Sequence, residues 1–226
     1  MAVNADVLHM LRRERLAPYF EPTEDCRYSN TGYICLAEVI AAAADMPYAE
    51  YMQKHIFQPA GMTSTFIMNR RYAPRELHSI AWGYMRAEQR YFLLDDDPAF
   101  AYVYYLDGIQ GDGMVHTTIR DLLAFDRALH AGRLLGEPYV ALMENPFVLL
   151  SGAQTTCGCG WFLDDDPRYG KKTMHGGGWP GYRAVLCRYV EKNAVIIILS
   201  NVEVVDGEQQ LSLGAMVTEF ERQLGL

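Results

Sequence analysis

The sequence predicts an α+β fold in which helices pack on an antiparallel sheet. Three observations predict it. Apolar residues recur at helical spacing through the middle of the chain, from about residue 33 to residue 144. After Ser151 the sequence turns β-rich, with two strand-like runs joined by a short turn. From Gln209 to Leu224 helical spacing returns, with Leu213, Met216, Val217, Phe220 and Leu224 on one side. The 226 residues fit a single domain. Within it, a mainly helical lobe is expected over 25–150, and a sheet with a closing helix over 151–226.

The first helix of that lobe is expected over residues 33–44, where Ile34, Leu36, Ala37, Val39 and Ile40 precede four alanines. Asp45-Met46-Pro47 interrupts it. Pro47 suits the first turn of a second helix, Tyr48 to Phe57, because its missing N–H has no partner there anyway. Pro59 and Gly61 should stop that helix. Residues 63–110 read as irregular and aromatic, with Trp82, Tyr84, Tyr91, Phe92, Tyr102, Tyr104 and Tyr105. Thr118 to Asp121 resembles a capping box with Asp in place of Glu. It opens a helix with the stripe Leu122, Leu123, Phe125, Ala128 and Leu129, ended by Gly132. A shorter helix follows over Pro138 to Glu144. Gly160 to Leu163 reads as a short strand. Tyr182 to Val190 and Ala194 to Ser200 read as a hairpin around Glu191-Lys192-Asn193.

Composition removes several function classes. Half of the residues are hydrophobic, which excludes a disordered chain. Twenty basic against 28 acidic side chains give a formal charge of −8, so no basic face is available for nucleic acid. The longest clean apolar run, Ala194 to Leu199, is far too short to span a bilayer. Five cysteines, an odd number, do not resemble a disulfide framework. Cys157-Gly158-Cys159 has one intervening residue rather than the two of a zinc or redox pair, so buried or free thiols are expected. His9, His55, His78, His116, His130 and His175 show no His-x-x-x-His spacing, and no metal is expected. The echo between Phe92–Pro98 and Phe162–Pro167, each with three aspartates before a proline, reads as a solvated turn.

Two stretches can carry chemistry. Tyr28-Ser29-Asn30 stands directly before a helix, so a phenol and an amide can project into one cleft. A tyrosine can serve as a general base, and an asparagine can orient a neighbouring group. The bland alternative is a Ser-Asn cap with a packing tyrosine. The second stretch is His175-Gly176-Gly177-Gly178, followed by Trp179-Pro180-Gly181 and a strand. Three glycines there imply close backbone approach, and a free backbone N–H can donate to a developing oxyanion. Its bland alternative is a flexible loop with a solvent-facing histidine.

Taken in this order, the two stretches resemble the second and third motifs of the serine β-lactamase and penicillin-binding-protein family. The branch most similar holds AmpC-type β-lactamases, D-amino-acid peptidases and related esterases. Ile56–Met62, Gly111–Leu122, Gly158–Trp161 and Ile196–Asn201 also resemble family segments, in the right order. The resemblance implies a β-lactamase/transpeptidase-like fold with an antiparallel sheet flanked by helices. It implies acyl transfer to a serine, no cofactor, and a small acyl substrate: a lactam, an ester or a D-peptide. Tyr28 would be base or proton relay, and Asn30 would bind the family's lysine and the substrate amide. His175 would stand where a lysine is more usual. The backbone N–H of Gly178 would form half of the oxyanion hole beside Gly177, and Arg183 could supply a cation for a substrate carboxylate. A histidine is not a permanent cation, which tilts the expectation from a β-lactamase towards an esterase or D-peptidase.

One family motif is missing. The serines are Ser29, Ser64, Ser79, Ser151, Ser200 and Ser212, and none has a lysine three residues on; no threonine does either. The chain therefore reads as starting after the Ser-x-x-Lys motif, with the N-terminal part of the fold absent. The expectation is either a C-terminal piece of a longer hydrolase or a chain that completes its sheet by self-association. A non-catalytic binding protein with the same groove is the rival reading. Met1–Asp6 has no basic leader and apolar core, so the chain read literally is cytoplasmic. Family members are often exported, and a leader upstream would carry that signal, so both compartments stay open.

Overall fold

The computed structural model describes residues 1–67, 80–87, 90–204 and 212–225, with Asp95 by its backbone alone. Residues 68–79 and 88–89 of the predicted irregular stretch 63–110, His78 and Ser79 among them, and the predicted helix start Gln209–Leu211 lie outside the described residues. The opening helix α1 spans Asn4–Glu14. Helix α2 spans Asn30–Ala44, starting three residues earlier than its apolar pattern because the Ser29 hydroxyl accepts the Gly32 N–H at 3.0 Å. Helix α3 covers Tyr48–Met52 and continues through a π turn, Gln53–Phe57, into α4, Gln58–Ala60. Pro59 therefore does not stop the helix. It follows the π turn, and Gly61, at φ 79°, makes the stop.

The stretch expected to be irregular contains strands. β1 is Phe66–Ile67, β2 Tyr84–Ala87 and β3 Arg90–Leu93; a short helix α5 covers Ala101–Leu106. β4, Val115–His116, pairs with β1. Helix α6 spans Ile119–His130 and α7 Glu137–Glu144. The Thr118 hydroxyl caps α6 by accepting the Asp121 N–H at 3.2 Å. Asp121 does not reach back to complete the box. Its buried carboxylate instead accepts the Ser64 N–H and the Thr65 hydroxyl, each at 2.7 Å.

The main sheet runs β5 (Phe162–Asp166), β6 (Gly170–Trp179), β7 (Tyr182–Tyr189) and β8 (Ala194–Ser200), all antiparallel. The hairpin β7–β8 turns through Asn193 at φ 48°, a left-handed conformation that asparagine tolerates. The second Asp-rich echo is strand rather than turn. Two of its three aspartates lie opposite lysines, Asp164 across from Lys172 and Asp165 across from Lys171, and the Lys172 ammonium sits 3.0 Å from Asp164. The first echo is turn-like, a 3-10 segment from Leu94 to Asp96. β9, Val202–Val204, pairs in parallel with β2 and joins the sequence-distant β2–β3 hairpin to the end of β8.

Two cores hold these layers. One gathers Tyr169, Val185, Cys187, Tyr189 and Ile196 under Val217 of the last helix, α8 (Leu213–Leu224). The other gathers Phe57, Ala60, Met62 and Ala128 between α4 and α6. The buried stripe of α8 is Leu213, Val217 and Glu221, at i, i+4, i+8; Phe220 and Leu224 lie off it and are exposed. Glu221 is tolerated inside because the Tyr189 hydroxyl donates to it at 2.7 Å and the Lys172 ammonium stands 3.5 Å away.

Candidate functional site

Alternation along β6 decides where the site lies. Lys172 and Met174 point towards the α8 core, so Thr173 and His175 point to the opposite face. Thr173 lies opposite Arg188, which pairs with Asp126 of α6 on that face at 2.7 Å. The turn before α2 places the Tyr28 ring against this end of the strand. The Tyr28 and His175 ring centroids are 6.2 Å apart at 34°. Phe162, at the start of β5, completes a three-ring group: it lies 5.5 Å from His175 and 6.3 Å from Tyr28. Phe162 carries no signal of this role in the sequence, where it is one more apolar residue in a short strand.

Both readings of Ser29-Asn30 have a place here. Ser29 is the helix cap, and the cap is what fixes Tyr28 outside the helix. Asn30 is the first helical residue and is exposed. Tyr28 is 62% exposed, and its neighbour Arg27 faces away, over the Tyr19 and Phe20 rings and towards Asp25. Gly176, Gly177 and Gly178 continue β6 with their surfaces exposed, inside the strand rather than ahead of it. β5 pairs with β6 only as far as Met174, whereas β7 pairs with it through Trp179. The β5-side backbone of the glycine run is thus left unpaired by the strands, an edge that can accept an extended ligand.

Arg183 lies opposite Gly178 on β7, and a Cβ at Gly178 would meet its guanidinium at 2.9 Å. Its charge is already matched by Glu203 of β9, whose carboxylate also accepts the Gly181 N–H at 3.3 Å. Two donors at this end, Trp179 Nε1 and Arg183 Nε, are buried without a hydrogen bond among the described residues. The Gly111 turn is fitted to the same region: φ is 106°, and a Cβ there would strike the Tyr33 carbonyl oxygen at 2.6 Å. Burial pushes the Tyr33 phenol up, with Cys159, Tyr28, Cys157 and Cys26 adding to the effect.

A cavity of about 580 Å³ lies elsewhere. Leu123, Asp126, Arg127, His130 and the start of β8 line it, and none of the sequence-predicted site residues does. Two of its polar groups already have partners: Asp126 holds Arg188, and His130 bridges the Asp126 carbonyl and Glu144 at 2.7 and 2.9 Å. Among the described residues, no group of three or more His, Cys, Asp or Glu side chains is placed to hold a metal, and no helix is long and apolar enough to cross a membrane.

A family profile described as Beta-lactamase matches residues 2–215. The chain belongs to that family. Penicillin-binding protein 4* of Bacillus subtilis (strain 168) is 41% identical over 205 residues, covering 90% of this chain and 46% of the relative. The chain therefore spans about half the length of this curated relative. The D-amino acid amidase of Ochrobactrum anthropi SV3, solved with D-phenylalanine, aligns at TM-score 0.65 and 26% identity, over 87% of this chain and 57% of the amidase. The octameric penicillin-binding protein homologue of Pyrococcus abyssi aligns at TM-score 0.76 and 21% identity, over 99% of this chain and 48% of that one, a likeness of fold. The mixed architecture described above is thus a part of the β-lactamase/transpeptidase-like fold.

Proposed function

We propose that this chain carries the base-and-oxyanion side of a serine hydrolase site acting on amide, lactam or ester carbonyls. The observation that carries the reading is the Tyr28–His175 ring pairing beside the exposed glycine edge of β6. In this reading a serine hydroxyl attacks the carbonyl carbon, and Tyr28 takes its proton. The carbonyl oxygen becomes an oxyanion that accepts from the Gly178 N–H. The leaving amine or alkoxide regains the proton, and water then releases the acyl group. Asn30 holds the substrate amide, and Phe162 with His175 forms an aromatic wall for an apolar substituent. A D-amino acid amide suits such a wall, as the phenylalanine complexes of the amidase suggest. Arg183 would meet a substrate carboxylate only by leaving Glu203. The nucleophile is not among this sequence's six serines in Ser-x-x-Lys form, and without it about 10⁶ of rate is lost. Every copy of this sequence lacks that motif, so self-association could cover the sheet but would not supply the nucleophile.

The second reading, a binding protein that holds an acyl ligand without turnover, is favoured by that same absent motif. Titration with D-phenylalanine amide, followed through the His175 imidazole resonances, tests both. Saturable shifts that weaken in Tyr28→Phe and in Phe162→Ala are expected. Resonances that stay fixed while the amide or a penicillin binds would discard the groove. A fluorescent penicillin separates the two readings: stoichiometric covalent labelling of a serine leaves only the enzyme, and reversible binding alone leaves only the binder.

A further inference from the structure

We propose that Cys26 and Cys157 form a reversible disulfide that clasps the Tyr28 turn onto the segment leading into Phe162. Their sulfurs are 2.9 Å apart although 131 residues separate them in sequence. That is within about 1 Å of a covalent S–S length of about 2.05 Å, so bond formation needs little movement. Cys26 is exposed and Cys157 half-buried, so an oxidant can reach the pair. Cys187, by contrast, is buried in the α8 core and takes no part.

The two sulfurs sit where a clasp would matter. Cys26 is two residues before Tyr28. Cys157 forms a β-bridge with Phe162, and the Leu163 N–H donates to the Thr156 carbonyl at 2.9 Å. Tyr28 and Phe162 are the two rings placed against His175. The turn itself is weakly held: every residue from Arg15 to Tyr28 except Phe20 is exposed. Its backbone tie to the body is the Leu150 N–H donating to the Thr23 carbonyl at 2.9 Å. Gly158 keeps the partner sulfur in place, since a Cβ there would run into the Met143 carbonyl.

The reaction is thiol–disulfide exchange with a low-molecular-weight disulfide such as oxidised glutathione. One cysteine thiolate attacks a sulfur of the oxidant, forming a mixed disulfide and releasing one thiolate. The second cysteine thiolate attacks the protein sulfur of that mixed disulfide and releases the other. Two protein thiols and one disulfide become one protein disulfide and two small thiols, with two electrons passing to the oxidant. The hydrogen bond to Cys157, with burial second, pushes the Cys26 thiol up to about 11, so exchange should quicken as pH rises.

The test is a non-reducing tryptic map after oxidised glutathione treatment at pH 8 and an N-ethylmaleimide quench. The expected product joins peptide 16–27 to peptide 134–168 with the loss of two hydrogens. It persists in Cys159→Ser, disappears in Cys26→Ser and in Cys157→Ser, and is undone by dithiothreitol. In the oxidised chain, trypsin should cut after Arg15 and Arg27 several-fold more slowly. Full maleimide labelling of Cys26 and Cys157, loss of the cross-link in Cys159→Ser, or unchanged cleavage after oxidation would each overturn the proposal. The mapping uses no acyl ligand, so its outcome is independent of whether the groove binds a carbonyl compound.

Discussion

The two halves of β6 are built in opposite ways. From Lys172 to Met174 the strand is paired on both sides; its Thr173 is deeply buried, and so are Cys187, Arg188 and Tyr189 of β7 beside it. From His175 to Trp179 it is paired by strand on one side, carries three exposed glycines, and meets the rings of Tyr28 and Phe162. One half holds the sheet to α6 and α8. The other exposes backbone that a ligand can use. A single strand can do both because alternation and register separate the two tasks by only a few residues.

Substitutions should separate the halves by their effect on stability. The largest effect belongs to Asp126→Ala, which strands the buried Arg188 guanidinium; urea denaturation should show a loss of about 3–5 kcal/mol. Tyr189→Phe removes the donor to the buried Glu221 and should cost about 1–3 kcal/mol by the same measurement. In the outer half, Gly177→Ala places a Cβ 3.7 Å from that of Ala184, an ordinary contact. Its stability should change by under about 0.5 kcal/mol while affinity for D-phenylalanine amide falls. A loss of several kcal/mol there would mean that the outer half is structural too.

The smallest effect is one of pH. Folding raises the Cys26 thiol from 9.0 to about 11, so the folded reduced chain holds that proton more tightly than the unfolded one. Its contribution is therefore complete below about pH 9 and lost as pH rises towards 11. Reduced wild type should lose stability across that window in alkaline urea titrations, and Cys26→Ser should lose less. Equal slopes would show that the sulfur contact adds nothing to the reduced fold.

Local signals were legible wherever a residue's partner is close in sequence. Ser29 and Thr118 caps, the hairpin around Asn193 and the apolar spacing of α6 follow from chemistry within one turn, and each formed near its expected place. Tyr28 and His175 were legible as a pair only through the order of family motifs, yet they do meet. Partners distant in sequence were not legible. Besides its local partner β3, β2 has a parallel partner in β9, more than a hundred residues later. Asp164 stays in a strand because Lys172 faces it. Glu221 is buried because Tyr189 and Lys172 receive it, a result no helical wheel contains.

By itself, then, the sequence determined the Ser29 and Thr118 helix caps, the β7–β8 hairpin and the likeness to the β-lactamase family, because steric preference and capping act over a few bonds and family motifs keep their order. The tertiary structure alone decided that Phe162 joins Tyr28 at His175, that Arg183 is neutralised by Glu203, and that Cys26 rests against Cys157. Those are meetings between surfaces far apart along the chain. Their free energy comes from burial and charge pairing that exist only once the sheet and helices have packed.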